Sequence, residues 1–155
     1  KSWGKNVFVK IPVENSKGMF MGKVINELSK NNIKMNITAV YSHKQTSKIL
    51  SKINGKSKVI ISIFAGRAGD VGKDPVPEIK KSINFAKKFK NVRILWASVR
   101  EPYNYLQASQ LGCHIITIPP SIISKIERFG KSFKNLTNDT VKAFLVDSKK
   151  SRFKI

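Results

Sequence analysis

A charged group inside an apolar run marks the first place in this chain where chemistry could be done. Lys10 lies within Val7-Phe8-Val9-Lys10-Ile11-Pro12-Val13, and an ammonium among β-branched and aromatic neighbours is costly unless it is paired or neutralised. Desolvation pushes a lysine toward the neutral amine, the form that attacks a carbonyl carbon and becomes a Schiff base. The alternative is a lysine on an edge strand, its stem along the sheet and its head in water. Further polar residues recur at comparable places: Asn36 and Thr38 in IKMNITAV, Ser62 with Phe64 two positions on in KVIISIFA, and Ser98 closing VRILWAS. Residues two apart share a face of a strand, so Asn36 goes with Thr38 and Ser62 with Phe64. Arg67 and Arg100 follow just beyond. Any one hydroxyl could simply bond nearby backbone, and either arginine could pair with Asp70 or Glu101 on the surface. Taken together, an amine, small hydroxyl and amide donors and two guanidinium groups are what is needed to hold a phosphorylated sugar and to stabilise an imine.

These groups need elements to position them. Five short runs rich in Val, Ile and Phe, at 7–13, 33–40, 58–65, 92–98 and 114–118, read as buried strands, and a segment with helical spacing follows each. Met21, Val24, Ile25 and Leu28 share one helix face; Ser42 can cap a helix carrying Thr46, Ile49, Leu50 and Ile53. Pro75 or Pro77 could open a third, with Ile79, Ile83, Phe85, Ala86 and Phe89 as its apolar residues. Pro102 opens a fourth, with Tyr105, Leu106 and Ala108 ahead of a stop at Gly112. Two more helices are expected at about 121–128 and 137–148. A regular βα repeat of continuous apolar strands indicates a parallel sheet covered by helices, either an open doubly wound sheet or a (β/α)8 TIM barrel. Five units are too few for a whole barrel. The glycines of AGRAGDVG are spaced G-x-x-G-x-x-G, which fits neither a dinucleotide fingerprint nor a P-loop, and they are expected to shape a βα loop.

Composition narrows the setting. The 155 residues, 41% hydrophobic, suit a single domain over 1–155. Residue 1 is not methionine, so the chain is expected to be a piece of a longer protein. It has no signal-peptide stretch and no apolar run able to span a bilayer, so no membrane partner is expected. The single cysteine, Cys113, excludes an internal disulfide, and the expected location is cytoplasmic. The net charge of +21 invites a nucleic-acid partner. Against it, the lysines are scattered along the sequence with only doublets such as Lys80-Lys81, and arginine, the usual base reader, is scarce. No nucleic acid is therefore expected as a partner, and the positive field would attract phosphorylated metabolites. His43 and His114 have no Cys or acid at metal-ligand spacing, and Cys113 reads as an inert residue at a strand start.

The stretches WGKNVFVKIPV, IKMNITAVYS, SIFAGRAGDVGKDPVP, LWASVREPYNY and QLGCHIITIPPSII resemble the transaldolase family of class I aldolases, in its short transaldolase-like branch. The resemblance implies a (β/α)8 TIM barrel of which this chain supplies strands four to eight. It implies Lys10 as the Schiff-base lysine and Thr38 as a residue positioning the catalytic water. Asn36 and Ser62 match positions that bind substrate hydroxyls and the intermediate; Arg67, Ser98 and Arg100 match phosphate-binding positions. Phe64 matches a position that is phenylalanine in the family's transaldolases and tyrosine in its fructose 6-phosphate aldolases, which favours transfer of a dihydroxyacetone unit between sugar phosphates, as in the pentose phosphate pathway. No cofactor and no metal are implied, and the full-length protein is expected to be a homo-oligomer. The family's acid/base aspartate, with its companion asparagine and its glutamate or glutamine, belongs to strands one to three and has no match here. This stretch alone is therefore expected to be inactive or poorly folded, its sheet edges open. The alternatives are a fructose 6-phosphate aldolase-like lyase, a barrel that has lost catalysis, and a basic nucleic-acid-binding α/β module.

Overall fold

The computed structural model describes residues 4–151; Trp3 of the WGKNVFVKIPV stretch lies outside them. The five expected strands form: β1 (Val9–Pro12), β2 (Met35–Val40), β3 (Val59–Phe64), β4 (Val92–Ala97) and β5 (Ile115–Ile116). They make one sheet in the order β1-β2-β3-β4-β5 with every pairing parallel. Consecutive strands are always neighbours. The order never reverses, so the sheet lacks the switch point of a doubly wound fold, and successive right-handed crossovers lay the helices on one face. The result is an α/β fold consistent with part of a TIM-barrel-like architecture.

The two faces follow from strand alternation. Ile11, Met35, Ile37, Val40, Val59, Ile61, Ile63, Val92, Ile94 and Trp96 are buried under the helices. Each fully buried isoleucine contributes about 1.5–3 kcal/mol relative to an exposed one, so this face accounts for most of the fold's cohesion. The intervening residues, among them Lys10, Asn36, Ser62 and Phe64, occupy the opposite face. Between Ile37 and Val40 the β2–β3 register slips, and Ala39 takes a φ of 59°. This bulge returns Val40 to the core although three residues, not two, separate it from Ile37.

The helices are α1 (Gly22–Lys30), α2 (His43–Leu50), α3 (Ala65–Gly69), α4 (Val76–Ala86), α5 (Tyr103–Gln110), α6 (Pro120–Ile126) and α7 (Phe133–Ser151). Ser42 caps α2 in a capping box with Gln45, and Thr46, Ile49 and Leu50 are buried as expected. Pro75 is the N-cap of α4 and Pro102 that of α5. Gly112, at φ 69°, ends α5 in a Schellman arrangement: its N–H donates to the Ser109 carbonyl at 3.0 Å and that of Cys113 to Ala108 at 2.9 Å.

Four expectations are corrected. The glycine-rich segment expected to be a loop begins with α3, a turn closed by the Asp70 N–H donating to the Gly66 carbonyl at 2.9 Å. Phe85 faces outward, its ring 6.0 Å from that of His43. Tyr105 and Leu106 are exposed because the short α5 turns Asn104 and Ala108 inward instead. The last helix begins four residues earlier than expected, and α7 buries none of its residues.

Candidate active site

On the open face of the sheet a cavity of about 320 Å³ runs from Lys10 and Asn36, the second residues of β1 and β2, to the carboxyl ends of β3 and β4. Lys10, Asn36, Ser62, Phe64, Arg67, Ser98 and Arg100 all line it. Lys10 on β1 is in register with Asn36 on β2. The hydroxyl of Ser62, a residue 3% exposed, donates to the Asn36 side-chain carbonyl at 2.7 Å, and in this orientation the Asn36 NH2 is available to donate into the cavity. Lys10 itself is exposed on an edge strand and has no hydrogen-bond or ion-pair partner among the described residues. Its head reaches water, as in the alternative raised for it from sequence.

Thr38, the eighth expected site residue, does not line the cavity. It shares the Asn36 face just before the bulge, and its hydroxyl is buried without a partner among the described residues. An unsatisfied buried hydroxyl costs about 1–3 kcal/mol; a bound water or substrate group would relieve that. Strain collects nearby. Ala39 and Ser98, at φ 59° and 66°, are non-glycine residues in the left-handed region at the ends of β2 and β4, a conformation that costs about 1–2 kcal/mol each and clusters at functional sites.

Two cations sit at the rim. The Arg67 guanidinium lies 5.4 Å from the centre of the Phe64 ring, and Phe64 meets Tyr41 edge-on at 6.0 Å. Arg100 is held by Asp70: its Nε donates to both carboxylate oxygens at 3.1 and 3.2 Å, and Nη2 to one at 2.6 Å. The surface pairing that sequence offered as an alternative for Arg100 therefore forms, and it leaves Nη1 unengaged. Gly66 makes this geometry possible, since a Cβ there would stand 1.6 Å from the Ser98 carbonyl oxygen and 2.8 Å from Arg100 Cγ.

Sequence reasoning missed Leu95, Ala97 and Thr117, which also line the cavity. Leu95 and Ala97 were legible by alternation with the core residues Ile94 and Trp96, but a search for polar side chains passes over them. Thr117 follows from applying the strand-end rule to the fifth strand.

The histidines and the cysteine have structural partners. His43 Nδ1 lies 2.7 Å from a Glu78 carboxylate oxygen that also accepts from the His43 backbone at 2.6 Å. Burial acts to raise the Glu78 carboxyl, but those bonds and the His43 charge outweigh it and hold it below the usual range. Burial pushes the Cys113 thiol up, as befits an inert residue. His114 Nδ1 accepts from the Ile94 N–H at 3.1 Å, and burial, with the charge of Arg93, lowers its affinity for a proton. Among the described residues no helix is long and apolar enough to cross a membrane.

A five-stranded parallel βα array with polar residues gathered on its open face is an α/β fold consistent with part of a TIM-barrel-like architecture. The family model described as Transaldolase/Fructose-6-phosphate aldolase matches residues 1–155, and the chain belongs to that family. It is 32% identical to a probable transaldolase of Thermoanaerobacter sp. strain X514 over 152 residues, covering 97% of this chain and 64% of that protein. Identity is 35% to the probable transaldolase of Thermoplasma volcanium, over 95% of this chain and 60% of the relative. It is 35% also to that of Methanococcus maripaludis strain S2, over 92% and 61%. The chain thus spans about three-fifths of the length of the curated relatives it matches.

Proposed function

We propose that this chain forms strands four to eight of a transaldolase-type (β/α)8 barrel, as one domain over residues 1–155, and that Lys10 is its Schiff-base nucleophile. The observation that carries the reading is the convergence of Lys10, Asn36, Ser62, Arg67, Ser98 and Arg100 on one cavity of the open sheet face. The Lys10 amine attacks the carbonyl carbon of a ketose phosphate, and the carbinolamine loses water to give an iminium. Cleavage of the bond between C3 and C4 then releases an aldose phosphate and leaves a three-carbon enamine on the lysine. The enamine carbon attacks the aldehyde of a second aldose phosphate, and hydrolysis frees the new ketose phosphate and the amine.

The chain's residues support this sequence in distinct ways. Asn36 and Ser62 hold hydroxyls of the three-carbon unit, Arg67, Ser98 and Arg100 the phosphate, and Thr38 the water of hydrolysis. Among the described residues no carboxylate lines the cavity, so proton transfer at C4 draws on an acid outside them. Closure of a barrel against the free edge of β1 would take Lys10 out of water and complete that shell. Phe64, fixed between Tyr41 and Arg67, supports transfer over cleavage. Borohydride trapping of the full-length protein with fructose 6-phosphate, followed by mass mapping, is expected to place the adduct on Lys10; an adduct elsewhere, or none, would sink the mechanism. Product release only when erythrose 4-phosphate is added marks a transferase, and release without an acceptor marks a lyase.

A further inference from the structure

Although dispersed in sequence, eight of the 25 lysines gather at one end of the sheet. The strands are parallel, so the helix-to-strand connections all lie at the amino end of the sheet, away from the Arg67 and Arg100 rim of the candidate active site. Connections 31–34, 51–58 and 87–91 hold seven cations and no carboxylate, and Lys30 at the end of α1 and Arg93 at the start of β4 bring the number to nine. Eight of the nine are exposed and Lys34 is half-buried. Backbone bonds set the starts of neighbouring strands side by side: the Met35 N–H donates to the Lys58 carbonyl at 3.0 Å and the Val59 N–H to the Asn91 carbonyl at 2.9 Å. Lys34, Lys58 and Asn91 therefore stand on adjacent strand starts, about 4.8 Å from one strand to the next, with Lys90 one residue before Asn91; the Lys34 ammonium donates to the Lys5 carbonyl and lies over the Phe8 ring.

The loops that carry them are pinned. Asn54 takes the Ser29 carbonyl at 2.8 Å through its side chain and the Ser29 hydroxyl at 2.8 Å through its backbone N–H. Ser57, 1% exposed, donates to the same carbonyl at 2.9 Å. The Asn91 amide donates to the carbonyls of Asn54 at 2.9 Å and Ser57 at 2.5 Å. A cavity of about 460 Å³ opens here between Phe8, Lys56, Lys58, Lys90 and Arg93. The three ion pairs among the described residues, His43 with Glu78, Arg100 with Asp70 and Lys131 with Asp139, all lie outside these connections. The carboxyl ends of the helices point to this side, but each brings only about half a negative charge, too little to offset nine cations.

We propose that the amino end of the sheet is a docking surface for the phosphate backbone of a nucleic acid, bound without regard to sequence. Rigid loops bearing lysine present charges to phosphates at little ordering cost, and the shortage of arginine fits backbone contact rather than base reading. A membrane is a poorer match: Val7, Phe85 and Phe129 are exposed toward this end, but no exposed large hydrophobic residue lies within the three lysine-bearing connections themselves, leaving little beside the lysines to insert among acyl chains.

The test is binding of a fluorescent 20-nucleotide RNA by the full-length protein from 50 to 300 mM salt. Removing three phosphate contacts in K56Q/K58Q/K90Q is expected to lower the salt slope by about 2 and the affinity by about 100-fold at 0.1 M salt. K56R/K58R/K90R should bind like the parent, which separates lost contacts from lost folding. K17Q/K44Q/K73Q removes the same charge elsewhere and should lose less than 5-fold; Lys10→Met should lose nothing, so the outcome is independent of the aldolase reading. Equal losses in both glutamine triples, no binding by the parent at 0.1 M salt, or tighter and equally lysine-dependent binding to phosphatidylserine vesicles would each overturn the proposal.

Discussion

At the carboxyl end of the sheet, connections 13–21, 65–75 and 98–102 hold four cations and four carboxylates, whereas at the amino end connections 31–34, 51–58 and 87–91 hold seven cations and none. Hydrogen bonding divides the same way. The Thr38 hydroxyl at the carboxyl end is buried without a partner among the described residues, whereas at the amino end Ser29, Asn54, Ser57 and Asn91 satisfy one another. Left-handed backbone does not divide: Ala39 and Ser98 hold it at the carboxyl end and Asn32 at the amino end, where asparagine tolerates it. An unmet hydrogen bond is tolerated where a ligand can relieve it.

The largest break in this contrast comes from Lys10→Met. Under the proposed mechanism it should lower transaldolase turnover by on the order of 10³-fold or more while leaving the urea midpoint unchanged, since Lys10 is exposed and has no partner among the described residues. A variant that keeps more than a tenth of parent activity would remove the lysine from the chemistry.

Gly66→Ala should come next, and it acts through structure. Its Cβ meets backbone, the Ser98 carbonyl at 1.6 Å, so β4 must shift; a loss of about 3 kcal/mol is expected in urea denaturation. Because Ser98 and Arg100 move together, substrate KM should rise as well. Arg100→Gln separates the two effects. The Arg100–Asp70 pair is about half exposed on both sides, so its loss should cost less than about 1 kcal/mol. KM for a phosphorylated substrate should nevertheless rise about tenfold, the value of one charge-assisted bond. A large stability loss with unchanged KM would make Arg100 a strut and not a phosphate ligand.

Both the sheet and most of the cavity are legible in the amino-acid sequence. Continuous Val/Ile runs at regular intervals indicate the parallel sheet, and four polar residues in those runs, with Phe64 beside Ser62 and the two arginines just beyond, point to seven residues of the cavity. Three features are not legible, each for a physical reason. Alternation cannot foresee the bulge at Ala39, because the extra residue is a tertiary choice that keeps Val40 in the core. The outward turn of Phe85, Tyr105 and Leu106 depends on which helix face the neighbours leave free. Doublets of lysine look dispersed along a sequence, and only the parallel topology, which gathers every helix-to-strand connection at one end, assembles eight of the lysines into a single surface.

The smallest expected effect is on the response to acid, and it touches both ends. Glu78, tied to His43 at the start of α2, has its carboxyl lowered in the folded state. A lowered carboxyl contributes stability above its unfolded value, and that contribution is lost as pH falls through the folded one. His114 at the amino end is lowered too, by burial and by Arg93. The folded state therefore favours its neutral ring, a preference that adds stability above the unfolded histidine value and is lost as pH falls through the lowered one. Both signs agree, so urea midpoints should decline from pH 7 toward pH 4. The windows differ: the His114 contribution fades first, below the ordinary histidine range, and the Glu78 contribution only below the ordinary carboxylate range. Glu78→Gln should flatten the lower part of the profile alone. Neutralising the neighbouring charge in Arg93→Gln should make the decline in the upper part smaller, because the folded His114 value moves back toward the unfolded one when the charge that disfavours its protonation is gone. A profile unchanged by Arg93→Gln would show that burial alone sets the His114 response and that the field of the cationic end does not reach it.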